Sequence, residues 1–182
     1  MNSLSEILTL DSNAKTKEFK RGEIIQREGT SNSFAFYVKK GLLRSYTIDE
    51  KGKEHIFLFA SEGWLIADFE SQEFERPTDL FIDCLEDSKV VVFNRECFKV
   101  AALSDEQLRK NAHLMARRIA VLQKRVIMLM SASAKDRYNK FLETYPELPN
   151  RIPQRMIASY LGITPQALSS IRRNVLKSRQ FS

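Results

Sequence analysis

Gln166, Ser169, Ser170, Arg172, Arg173 and Lys177 are side chains that hydrogen-bond base edges and phosphates, and they fall within twelve consecutive positions near the C-terminal end of the sequence. Amides can grip adenine in two places, guanidinium groups can fork onto guanine or phosphate, and short hydroxyls bond either. No acidic residue follows Glu147, whereas Arg151, Arg155, Arg172, Arg173, Lys177 and Arg179 all do. The chain has 29 basic and 23 acidic residues, so the whole formal charge of +6 resides in the last 35 positions. A neutral body with a cationic end is the charge distribution of a module that neutralises phosphates.

Two short helices position these groups. Pro153 suits a first helical turn, and Met156, Ile157, Tyr160 and Leu161 recur at helical spacing after it. Gly162 can adopt the left-handed conformation that ends a helix, and Thr164 followed by Pro165 supplies a cap and first residue for the next. In that second helix Leu168, Ile171 and Val175 face inward. Gln166, Ala167, Ser169, Ser170, Arg172, Arg173 and Lys177 are left outside, with Thr164 at the entrance. The pattern is a helix-turn-helix. The same spacing would serve an ordinary antiparallel helix pair, so the alternative function is a module whose C-terminal helices contact a protein partner. A membrane-surface helix fits poorly, because Pro and Gly interrupt the long amphipathic stripe it needs.

The body reads differently. From Glu18 to Asn94, short apolar runs alternate with turns at Gly22, Gly29, Gly41, Gly52 and Gly63, the signature of an all-β sandwich or barrel. Asp49 to Lys53 reads as a hairpin loop. Arg95 to Val100 reads as a short helix, and Ser104 opens a long one running to about Ala132. Within it Leu108, Met115, Leu122 and Leu129 are spaced by sevens, and Ala112, Ile119 and Val126 fall four residues after the first three. With the second set at a and the first at d, this is the preference of a parallel two-stranded coiled coil. A helix packed on its own barrel would show a similar stripe, but nearly 30 residues project further than such a barrel can cover. Ser133 interrupts the seam, and a hinge is expected between Ser131 and Asp136.

At 43% apolar and 29% charged the chain has the composition of a globular protein. Its longest apolar runs fall far short of the roughly 20 residues of a membrane span. With no secretory leader pattern, the expected location is the cytoplasm. Cys84 and Cys97 lack ligand spacing and read as buried thiols, and His55 and His113 lack companion carboxylates at metal-ligand spacing. No phosphate loop, nucleophile elbow or dinucleotide turn is present, so the sequence carries no catalytic signature. No metal ligand set and no cofactor is identified.

The order of β-barrel, long helix and helix-turn-helix resembles the Crp/Fnr family of bacterial transcription regulators over nearly the whole chain. The most specific stretches are His113 to Val126, similar to the family's dimerisation helix, and Pro153 to Arg173, similar to its DNA-binding core. Gly63 to Phe69 with Arg76-Pro77-Thr78 is similar to its phosphate cassette. The resemblance implies an α+β protein with a jelly-roll-like sensory β-barrel over 1–103, a dimerisation helix over 104–132 and a helix-turn-helix domain over 133–182. It implies a homodimer on double-stranded DNA, with RNA polymerase as a further partner and no membrane.

Ala67, Asp68, Arg76, Thr78, Leu122 and Gln123 are the candidate effector pocket by that resemblance. The cassette departs from the cyclic-nucleotide pattern: Ala67 stands where Gly would allow close approach, Asp68 is one methylene shorter than the expected Glu, and Pro77 lacks a backbone donor. Leu122 cannot hydrogen-bond a purine. Cyclic nucleotide binding is therefore not expected, and the effector is left open. An iron–sulfur cluster would need about four cysteine ligands. The reading helix also departs, with Pro165, Gln166 and Ser170 at positions where relatives carry Arg, Glu and Arg. The sequence stops at Ser182, so the family's β-hairpin wing is expected to be reduced or absent.

Overall fold

Period-two alternation between turns builds the N-terminal half. The computed structural model describes residues 14–31, 34–94 and 104–180. Eight strands are present among the described residues: β1 (Lys15–Phe19), β2 (Ile24–Gln26), β3 (Ala35–Lys40), β4 (Leu43–Ile48), β5 (Glu54–Ala60), β6 (Leu65–Ile66), β7 (Phe81–Cys84) and β8 (Ser88–Phe93). They form two antiparallel sheets in the orders β1-β8-β3-β6 and β2-β7-β4-β5. A short helix, α1 (Phe69–Phe74), separates β6 from β7. Phe36, Val38, Leu43, Ala60, Ile66, Ile82, Cys84 and Val90 form the core between the sheets.

The expected hairpin is present at β4–β5. Asp49 Oδ1 accepts from the backbone N–H groups of Lys51 and Lys53 at 3.0 and 2.9 Å, and Gly52 takes φ 76°. At Gly41 the requirement is stricter. Its φ is 100°, and an added Cβ would lie 2.3 Å from Ser88 Oγ and 2.8 Å from the Asp87 carbonyl oxygen, so only glycine fits between β3 and β4.

Five helices follow among the described residues: α2 (Asp105–Ser131), α3 (Ala134–Thr144), α4 (Leu148–Arg151), α5 (Gln154–Leu161) and α6 (Pro165–Gln180). Ser104 opens α2 as read from the sequence: its N–H donates to Gln107 Oε1 at 2.9 Å and its hydroxyl accepts from Gln107 N–H at 3.3 Å. The break at Ser133 is equally plain. There the hydroxyl accepts from Asp136 N–H and caps α3. The expected helix at Arg95 to Val100 lies outside the described residues, as does Cys97.

The chain divides into two compact units, Met1–Ala116 and Arg117–Ser182. The division falls inside α2, the helix expected from the sequence as a dimerisation helix over 104–132. Met115 supplies the physical reason. It was expected in the intermolecular seam, yet it packs against Ala35, Tyr37, Leu65, Ala67, Val91 and Phe93 on the outer face of the β3-containing sheet of its own barrel. The first half of α2 thus serves the barrel. Beyond it Ile119 is 65% exposed, Leu122 41% and Val126 53%.

Candidate nucleic-acid interface and barrel cassette

The helix-turn-helix is closed by two local devices. Gly162 ends α5 at φ 65°, its N–H reaching the carbonyl oxygens of Ala158 and Ser159. Two residues later Thr164 caps α6, its hydroxyl accepting from Ala167 N–H at 3.2 Å and its carbonyl from Leu168 N–H at 3.1 Å. Pro165 is the first residue of α6, where its missing N–H costs nothing. Pro153 differs slightly from expectation. It holds extended backbone at φ −61°, ψ 143° as the N-cap of α5, one position before the helix.

Packing fixes which side of α6 is free. Leu168 is fully buried, as are Ile157 and Leu161 of α5. Phe141, Tyr145 and Tyr160 form an aromatic trio beside them, with ring centroids 5.5 to 5.9 Å apart. At 3.6 residues per turn, Gln166, Ser170 and Arg173 then line up on the side opposite Leu168. Gln166, Ser170 and Arg173 are exposed, and so are Thr164 and Ser169. Arg172 and Ala167 are half-buried on the flanks, so Arg173 is the guanidinium aligned with Gln166. Ser170 Oγ donates to the Gln166 carbonyl at 3.2 Å and is folded back on its own helix. The side chain of Lys177 lies outside the described set. Asn174 is exposed beside the stripe and was missed, although its spacing of eight from Gln166 was available to find it.

The cassette is knit together internally. Asp68 is buried; its Oδ1 accepts from Ser71 N–H at 3.1 Å, capping α1, and its Oδ2 accepts from the Thr78 hydroxyl at 2.5 Å. Thr78 is itself saturated, since its oxygen also accepts from Gln26 Nε2 at 3.2 Å and Leu80 N–H at 3.1 Å. Ala67 is buried within the apolar cluster beside Met115. Arg76 turns outward, its side chain 70% exposed, with Glu70 at 3.8 Å and the Phe74 ring 5.8 Å away. Of the six candidate effector residues, Asp68 and Thr78 are therefore in direct contact, Ala67 is core and Arg76 is surface. Leu122 and Gln123 are exposed and belong to the second unit.

An ionic cluster of buried Arg44 and Asp83 with exposed Glu54 at its edge was not anticipated. Arg44 donates to Asp83 through Nε and Nη2 at 2.9 Å each, and to Glu54 through Nη1 at 2.5 Å and Nη2 at 3.2 Å. Its guanidinium also lies 4.1 Å from the Tyr46 ring centroid. Burial opposes the charge on Arg44, but hydrogen bonds and charge from Asp83 and Glu54 outweigh it and hold its pKa above the ordinary value. Nearby, burial pushes the Cys84 thiol up to about 12.

Residues 16–105 match the cyclic nucleotide-binding domain. The chain is 22% identical over 86% of its length to the anaerobic regulatory protein of Haemophilus influenzae, and 26% identical over 92% to the fumarate and nitrate reduction regulatory protein of Vibrio cholerae. These matches span 65% and 71% of the two relatives. Its fold is similar to that of a CRP/FNR-family transcriptional regulator from Thermus thermophilus, at TM-score 0.72 and 18% identity, covering 90% of this chain and 87% of the other. No described helix is long and apolar enough to cross a membrane.

Proposed function

From its Crp/Fnr kinship in sequence and fold, with a cyclic nucleotide-binding domain in its N-terminal half, we propose that this chain is a sequence-specific DNA-binding transcription regulator acting as a homodimer in the cytoplasm. The observation that carries this reading is the exposed row Gln166–Ser170–Arg173 on a helix pinned from behind by Leu168, at the cationic end of an otherwise neutral chain. Gln166 presents an amide whose geometric preference is adenine, where Glu would take cytosine. Arg173 is the candidate for guanine, with Arg172 and Lys177 placing the helix on phosphates. Asn174 extends the same face. RNA polymerase is the further partner.

The dimer forms along the second half of α2, where Ile119, Leu122 and Val126 leave an apolar stripe that a second copy would cover. Pairing of this kind sets two recognition helices one DNA turn apart, about 34 Å.

The barrel is read as a sensory domain that does not use cAMP or cGMP. Asp68 already caps α1 and accepts the Thr78 hydroxyl hydrogen bond, Pro77 offers no backbone donor, Ala67 is packed in the apolar cluster beside Met115, and Arg76 faces Glu70. A phosphate placed there would meet a carboxylate before a cation.

Fluorescence anisotropy of a labelled duplex, titrated at several salt concentrations, tests the reading. Binding should weaken steeply with salt, the slope tracking the phosphates neutralised. A folded dimer that binds no duplex at low salt would instead favour a protein-binding role for the C-terminal helices.

A further inference from the structure

Every helix end leaves carbonyl groups without an intrahelical partner and carries the negative pole of its peptide dipoles. At the end of α5 the carbonyls of Ala158 and Ser159 accept from Gly162 and Ile163. The last two are taken by arginines from other helices. Arg125 of α2 donates through Nη2 to the Tyr160 carbonyl at 3.3 Å, its guanidinium 3.9 Å from the Tyr160 ring centroid. Arg137 of α3 donates through Nη1 to the Leu161 carbonyl at 3.2 Å.

Arg137 does more than cap α5. Its Nη2 donates to the Leu129 carbonyl at 2.7 Å and its Nε to the Ala132 carbonyl at 3.1 Å, both at the end of α2. One planar guanidinium therefore joins two helix ends across the break at Ser133. That break is where the sequence suggested a hinge. Rotation about it would strip the two charge-assisted hydrogen bonds from Arg137 to Leu129 and Ala132, and α5, held to Arg137 through Leu161, in turn carries α6 through the short turn at Gly162 to Thr164.

We infer that Arg125 and Arg137 are positioning residues for DNA reading: neither touches DNA, and together they lock the angle between the long helix and the helix-turn-helix. This rests on the DNA-binding reading above. A guanidinium is required at Arg137 because three carbonyls must be met in one plane, and the ammonium of lysine lacks that fixed fork. Both cations are turned onto backbone carbonyls, so they do not belong to the phosphate-binding charge.

The test uses the full chain and its Arg137→Gln, Arg137→Lys and Arg125→Lys variants. Each is titrated on a duplex selected by the wild-type protein, on a scrambled duplex of equal length, and on selected duplexes with half-site spacing altered by one or two base pairs. The expected result for Arg137→Gln is a fall of about tenfold in the ratio of selected to scrambled affinity, the scale of one lost base contact. Affinity for the scrambled duplex and its salt slope should stay as in wild type, and the penalty for altered spacing should shrink. Arg137→Lys should not restore the ratio, and it carries the same expectation if Arg137→Gln does not fold. Arg125→Lys should show a smaller loss of the same kind.

Unchanged ratio and spacing preference in folded variants would overturn the inference while leaving DNA binding intact. A salt slope reduced by about one would also overturn it, because that marks a direct phosphate contact. If wild type selects no duplex, the DNA reading falls and this inference with it.

Discussion

The Thr78 hydroxyl donates to the Asp68 carboxylate at 2.5 Å, so the acidic residue of the cassette is committed to the protein's own structure. Its other oxygen caps α1 through Ser71 N–H. Asp68→Ala should therefore destabilise the barrel by roughly 1–3 kcal/mol, from the lost cap and the orphaned Thr78 hydroxyl, measurable by urea unfolding. Millimolar cAMP or cGMP should leave the melting temperature unchanged, because only a ligand that binds the native state raises it. A rise of several degrees with either nucleotide would refute the reading of the cassette.

Arg44 and Asp83 make a different commitment. Both are buried, and Arg44→Ala would strand the Asp83 carboxylate without its two-pronged partner. The expected cost is about 3–5 kcal/mol. Replacing the pair together, Arg44→Met with Asp83→Leu, should cost far less. Equal losses for the single and double changes in urea melts would contradict this account.

Burial of Cys84 gives a pH prediction. Its thiol is raised to about 12 in the fold, while the unfolded group titrates near 9.0, so the native state keeps its proton longer. The contribution is fully present below about pH 9 and is lost as pH rises toward 12. In a Cys97→Ser background the remaining thiol should resist alkylation at pH 8 until denaturant is added. Rapid labelling of native protein would show that β7 opens readily.

The outward half of α2 predicts oligomeric state. Leu122→Glu with Val126→Glu places two carboxylates on the proposed seam, where the side chains are 41% and 53% exposed in the single chain. Sedimentation should show a dimer for the wild type and a monomer for the variant. Met115→Ala should instead lower barrel stability without dissociating the dimer, since Met115 packs on its own barrel.

These contrasts show what the sequence disclosed. Asp49-Glu50-Lys51-Gly52-Lys53 declared a hairpin because its turn chemistry is local, and Gly162 with Thr164 declared the helix-turn-helix for the same reason. α1 was missed because six residues carry no helical period, although Asp68 three residues before Ser71 was a usable cap signal. Two-residue β6 and the charged strand β1 also lack an apolar run. Nothing local in the sequence sets Arg44, Arg125 and Arg137 apart from other basic residues. Their partners lie 39, 35 and 24 residues away at Asp83, Tyr160 and Leu161, and only the fold brings them together. Met115 sat in a regular heptad, yet spacing by sevens does not say whether the neighbour is a second copy or the chain's own sheet.

Selection from a pool of random duplexes tests the central claim most directly. The expected result is enrichment of a two-fold symmetric site with half-sites about 10 base pairs apart. Within each half-site an adenine preference should relax on Gln166→Ala, and a guanine preference on Arg173→Ala. Recovery of no sequence by the folded protein at low salt, or of a site indifferent to both substitutions, would contradict it.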